Sequence, residues 1–181
     1  MDKAKSIDEI KLIPDTIGEA GIEKDLRIGP EVMAAVLGDQ DLRVEEPFVI
    51  HYEVDRRQES IHVNVDIKGR ILTSCSRCLS SMSYPVDLHL QSDYIPAPPE
   101  MEGELEAQRL SADTGYYRRD ILLGQYIISE LVLSLPIIYV CSEDCKGLCP
   151  RCGTNLNEGR CECAGVEDPR FQVLRQLKNK L

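Results

Sequence analysis

The sequence predicts an α+β fold: a small antiparallel sheet, a meander of three strands, packed on one main helix and followed by a cysteine-rich tail. Three stretches alternate apolar and polar residues with a period of two, the mark of a strand with one buried face. One later stretch is apolar around most of a helical circumference. Five of the chain's eight cysteines then fall within the nineteen residues from Cys145 to Cys163. At 181 residues the chain holds one domain with a real core plus appendages, and is too short for two full-sized domains.

In FVIHYEVD, Phe48, Ile50, Tyr52 and Val54 share one face. In SIHVNVDIKGRILT, Ile61, Val63, Val65 and Ile67 do so, with Ile71 keeping the parity beyond Gly69, a candidate bulge. In YPVDLHLQSDY the set is Val86, Leu88 and Leu90. The polar DRRQES is the expected hairpin loop between the first two. His51, His62 and His89 all fall on the polar faces, where a solvated side chain is the ordinary outcome. The helix is expected over DILLGQYIISELVLSLP, with Asp120 as N-cap and Pro136 limiting its end. A helix this apolar needs cover, and the strands' inner face supplies it.

The core is therefore expected over 43–140, with an N-terminal extension at 1–42 in which EIKLIPD adds a strand and GPEVMAAVLG makes a short helix or turn. Residues 96–115, PAPPEMEGELEAQRLSADTG, read as an acidic surface loop. The tail, 141–181, ends in DPRFQVLRQLKNKL. There Asp168 serves as N-cap and Pro169 as first helical residue, with Phe171, Leu174 and Leu177 or Leu181 on one side.

The net charge of −10 argues against a simple phosphate-binding surface, which needs a basic stripe. The acid is concentrated at the front: residues 1–42 carry five Lys/Arg against ten Asp/Glu, whereas 141–181 carry seven against six. Arg56, Arg57, Lys68, Arg70 and Arg77 are interspersed with Glu53, Asp55, Glu59 and Asp66, the composition of a mixed solvated surface. Tyr116, Tyr117, Arg118 and Arg119 precede the helix and suit a core-and-cap role. No run of eighteen apolar residues exists, and MDKAKSIDEIKLIPD lacks the apolar centre of a secretory signal. The expected location is the cytoplasm, with no membrane partner and no small-molecule substrate.

In that reducing compartment clustered cysteines are more often metal ligands than disulfides. The eight fall as pairs: Cys75 and Cys78, Cys141 and Cys145, Cys149 and Cys152, Cys161 and Cys163. A Cys-x-x-Cys turn lets two thiolates converge on one ion, so four pairs suffice for two tetrahedral four-sulfur sites in a zinc-ribbon-like tail. Thiolate softness favours Zn2+ over magnesium or calcium, with an iron–sulfur cluster as the main rival. Proximity along the chain groups Cys149, Cys152, Cys161 and Cys163, and separately Cys75, Cys78, Cys141 and Cys145. An interleaved arrangement, in which Cys75 and Cys78 meet Cys149 and Cys152, fits the spacing nearly as well, and a single tightly held metal is a third possibility. Redox catalysis needs a thiol at a helix N-terminus, and neither CSRC nor CPRC opens a predicted helix. Catalytic zinc needs an open position and a general base, and no histidine adjoins a cysteine pair.

The order of features, CSRCL, a returning strand, an acidic loop, an apolar helix ending near LPI, then GLCPRCGTNLN and DPRF, resembles the bacterial large ribosomal RNA subunit accumulation protein family, YceD. The similarity runs from about residue 43 to 181. The resemblance implies a non-enzymatic cytoplasmic factor that supports accumulation or maturation of large-subunit ribosomal RNA, with a ribosomal protein or the rRNA precursor as partner. The alternatives are a zinc-ribbon adaptor in another complex and a thiol or zinc enzyme.

Overall fold

The computed structural model describes residues 7–38, 41–98, 109–111 and 114–163. They form two compact units: one from residues up to 73 together with 81–139, the other from 74–80 together with residues from 140 onward. The fold thus redraws the segment boundaries expected from composition. The CSRC turn groups with the tail, and the N-terminal segment builds into the sheet unit.

In the sheet unit, six strands lie in the order β1-β2-β3-β4-β6-β5: β1 (Ile22–Ile28), β2 (Phe48–Arg57), β3 (Ser60–Ser74), β4 (Ser81–Pro96), β5 (Arg109–Ser111) and β6 (Thr114–Tyr117). The meander of β2, β3 and β4 is as expected from the alternation. β1 adds to its near edge antiparallel, with Leu26 opposite Ile50. On the far edge β6 runs parallel to β4, with Tyr94 opposite Gly115, and β5 pairs antiparallel with β6. Helix α1 (Pro30–Leu37) starts with Pro at its first position and ends on Gly38 at φ 64, the left-handed C-cap that glycine permits. Helix α2 (Leu123–Ser134) buries Leu123, Ile127 and Leu131 completely, a spacing of four that puts them on one face.

That helix face and the inner parity of β2 and β3 enclose the core: Phe48, Ile50, Val54, Ile61, Val63, Val65, Ile67 and Ile71 are fully buried. Ile7, Ile10, Leu12 and Ile17 join them, so the described N-terminal segment contributes side chains to the core. Tyr126 reaches from α2 to donate its hydroxyl proton to the Gln91 carbonyl at 3.1 Å.

Four expectations are corrected. EIKLIPD makes short 3-10 turns and one backbone bridge, Leu12 to Ile121, because Pro14 removes a ladder donor. Asp120 is not the N-cap of α2; the helix begins after Leu122 with no side-chain cap, since Ile121 is held by Leu12 through two backbone bonds. Residues 96–115 are not all loop: Pro96 ends β4, and Arg109–Ser111 and Thr114–Gly115 are strand. Gly69 marks no bulge. A side chain there would lie 2.5 Å from the ring of buried Phe48, so the glycine is the space the ring fills. The amphipathic segment 168–181 and most of the acidic loop lie outside the described residues.

Candidate metal centres

The second unit is built from turns. Apart from Gly147, every buried residue among its described members is a cysteine: Cys75, Cys78, Cys145 and Cys149. Its interior is sulfur rather than hydrocarbon.

The two Cys-x-x-Cys turns share one backbone design. In the first, the Leu79 N–H donates to the Cys75 carbonyl at 2.8 Å, and the Cys75 N–H donates to the Ser80 carbonyl at 2.9 Å. In the second, the Gly153 N–H donates to Cys149 at 2.9 Å, and the Cys149 N–H donates to Thr154 at 2.8 Å. The residue after the second cysteine must enter the left-handed region in both: Gly153 at φ 72 and Leu79 at φ 59. Glycine does this without strain and leucine does not.

These turns gather the cysteines into two groups, Cys75, Cys78, Cys141 and Cys145, and Cys149, Cys152, Cys161 and Cys163, with sulfurs within 4.8 Å of one another in each. The interleaved arrangement is thereby excluded. Four sulfurs at about 2.3 Å from a tetrahedral ion lie about 3.8 Å from each other. In the first group the Cys75–Cys145 and Cys78–Cys141 separations are 3.8 Å and 3.7 Å, so that donor set fits such an ion.

Polar groups around the sulfurs favour thiolate. Burial pushes the Cys75 thiol up, but the backbone N–H groups of Cys141, Cys78 and Arg77 outweigh it and bring the pKa down to about 6. The Cys141 and Arg77 N–H groups both stand 3.4 Å from that sulfur. Cys152 is lowered to about 6, first by the Thr154 hydroxyl at 3.1 Å and then by that residue's N–H. Cys145 is lowered too: burial opposes this, and the Asn157 amide and the Gly147 N–H overcome it. The neighbouring sulfurs work the other way. Cys141 is pushed up to about 12, chiefly by Cys145 and Cys78, and Cys163 to about 12, chiefly by Cys152. Each group thus contains thiols that ionise readily beside thiols that their charged neighbours keep protonated. A bound cation removes that conflict.

Arg77, read in the sequence as part of a mixed solvated surface, is committed inside this unit. Its guanidinium donates to the carbonyls of Glu143 at 3.0 Å and Cys145 at 3.2 Å, and its own carbonyl accepts the Leu148 N–H at 3.1 Å. Sequence reasoning passed over Asn155 and Asn157, which hold the sulfur framework from outside. The signal was present as polar residues inside GTNLNEG, a loop too short for a core of its own.

None of the three histidines joins a cysteine group. Each bonds an aspartate across the sheet: His51 to Asp25 at 2.9 Å, His62 to Asp93 at 2.7 Å and His89 to Asp66 at 2.9 Å. Asp25 and then Glu53 raise the His51 pKa above its usual 6.5. Lys68 pairs with Asp87 at 3.9 Å, and Arg70 donates to Ser83 at 3.2 Å, so the polar face is a mixed one. Among the described residues no helix is long and apolar enough to cross a membrane.

Comparison with known proteins places this geometry. Residues 63–178 match the model of the family described as large ribosomal RNA subunit accumulation protein YceD. Uncharacterized proteins of Mycobacterium bovis and Mycobacterium tuberculosis are each 33% identical over 162 residues, which cover 86% of this chain and 70% of theirs. A chloroplastic protein of Arabidopsis thaliana, named large ribosomal RNA subunit accumulation protein YCED homolog 1, is 31% identical over 64 residues, 35% of this chain and 20% of its own. No solved structure matches. The family match extends from inside β3 through both cysteine groups, and with it the chain belongs to the YceD family.

Proposed function

We propose that the protein is a non-enzymatic cytoplasmic factor supporting accumulation or maturation of large-subunit ribosomal RNA, that both cysteine groups hold structural zinc, and that it acts by binding a basic ribosomal protein. The observation that carries the metal reading is the make-up of the second unit: among its described residues the buried side chains are those of Cys75, Cys78, Cys145 and Cys149, and all eight cysteines are gathered four by four. A unit without an apolar core needs another source of stability, and structural zinc supplies an apparent ~10–16 kcal/mol in small finger peptides. Four sulfurs complete a tetrahedral ion and leave no position for substrate or water, which favours a structural over a catalytic role. Sulfurs this close favour a single ion over an iron–sulfur cluster, which spreads its cysteines around several metals.

The choice of a protein partner rests on charge. The net charge is −10, and the outward parity of β1 to β4 carries Glu23, Asp25, Glu53, Asp55, Asp66, Asp87 and Asp93 against Arg27, Arg57, Lys68 and Arg70. The excess of acid on this mixed face favours a basic protein over extensive phosphate contact.

The test is a deletion strain and a pull-down with the full chain. Large-subunit rRNA is expected to fall in the deletion strain, and unchanged levels would leave an adaptor in some other complex. The pull-down is expected to retain ribosomal proteins after nuclease treatment. Retention that disappears with nuclease and falls steeply with salt would replace the protein partner with rRNA.

A further inference from the structure

We infer that the two cysteine groups load metal cooperatively, and that Asn157 is the positioning residue that couples them. The inference rests on the metal reading above. The loop between Cys152 and Cys161 belongs by sequence to the second group, yet its side chains serve the first. The Asn157 amide donates from Nδ2 to Cys145 Sγ at 3.3 Å, while its Oδ1 accepts the Lys146 N–H at 2.8 Å. Asn155 fixes Asn157 in turn, its Oδ1 accepting from the Asn157 backbone N–H at 3.0 Å and from Nδ2 at 2.9 Å. The Asn155 amide also donates to Ser80 Oγ at 3.2 Å, beside the CSRC turn, and the Leu156 N–H donates to the Gly147 carbonyl at 2.9 Å.

The loop has its own turn, in which the Asn155 carbonyl accepts the Glu158 and Gly159 N–H groups at 3.2 and 3.3 Å and the Asn155 amide donates to Glu158 at 2.7 Å, but it has little burial to hold it: of residues 153–160 only Asn155 and Leu156 are even partly buried. Joining Cys149 and Cys152 to Cys161 and Cys163 through one ion closes the loop and removes most of its conformational freedom. The Asn157 donor is then already in place when the first group takes up its ion, and the metal-bound Cys145 sulfur gains a hydrogen bond without the cost of ordering its partner. Binding linkage is reciprocal, so a metal in the first group, by holding Cys145 and Lys146 as the dock for Asn157, raises the affinity of the second by the same factor.

The test is cobalt(II) titration of the full metal-free chain under anaerobic conditions, following thiolate–cobalt absorption, with chelator competition to separate affinities. The native chain is expected to fill both groups in one transition. Asn157→Asp keeps the acceptor for Lys146 but loses the donor to sulfur, and is expected to weaken the first group about 10-fold or more, the scale of outer-shell partners, splitting the transition in two. In Cys161→Ser/Cys163→Ser the first group is expected to weaken by a similar factor, and adding Asn157→Asp to that double variant is expected to cost little more. First-group affinity unchanged in either Asn157→Asp or the double variant overturns the coupling, as do fully additive losses when the changes are combined. Absence of any cobalt–thiolate band in the native chain would instead defeat the metal reading itself.

Discussion

Leu79 is an L-residue at φ 59 in a turn whose twin uses glycine, and its side chain is 66% exposed. The left-handed conformation costs an L-residue about 1–2 kcal/mol. Glycine would lose about 0.4–1 kcal/mol of that through its freer unfolded chain. Leu79→Gly is therefore expected to stabilise the second unit by up to about 1 kcal/mol, measured as a higher denaturant midpoint of the metal-loaded protein. A lower midpoint would mean that the leucine makes a contact worth more than its strain. His51 carries a second residue-scale prediction. Its pKa is raised by Asp25 and Glu53, so the pairing adds stability that is fully present below the unfolded value of 6.5 and is lost as pH rises through the folded value. His51→Gln is expected to cost more at about pH 5.5 than at about pH 8, by less than about 1 kcal/mol because the pair is solvent-screened. Equal losses at both pH values would remove the ion pair from the stability account.

At the scale of elements, Gly69 and Phe48 fit closely in the sheet, where a side chain at Gly69 would lie 2.5 Å from the ring. The ring is fully buried and cannot swing away, so Gly69→Val is expected to cost about 1–3 kcal/mol by overpacking, seen as an early thermal unfolding of the sheet signal. Loss below that range would show that the strand shifts to accommodate the side chain. The sheet's legibility follows the same physics. β2 and β3 bury one full face, so their alternation is clean, and the helix α2 buries a continuous apolar side. β1 buries only Leu26 and Ile28 of its seven residues, an edge strand whose polar sequence, IEKDLRI, hides it. β5 and β6 are held by backbone pairing over three or four residues, too few to show a period. The start of α2 is set by the Leu12–Ile121 bridge, a long-range pairing that no local capping rule contains.

For the whole molecule, the division into two units assigns two sources of stability: hydrocarbon in the sheet unit and, on the present reading, metal–sulfur bonding in the other. The candidate ligands were legible in the sequence because thiolate chemistry is carried by residue type. Their grouping was not fixed by spacing, since either arrangement satisfies a Cys-x-x-Cys turn, and it is decided by where the chain brings Cys141 and Cys145. Cys149→Ser/Cys152→Ser is expected to unfold the second unit while amide exchange in β2 and β3 stays slow, because those strands keep their own apolar core. Exchange accelerating throughout would show that the sheet depends on the metal. The central claim, two filled four-cysteine structural sites, is tested most directly by metal analysis of the native protein combined with thiol alkylation. About two zinc ions per chain are expected, with all eight cysteines resistant until a chelator is added. Negligible metal in anaerobically prepared protein, with freely reacting thiols, would contradict it.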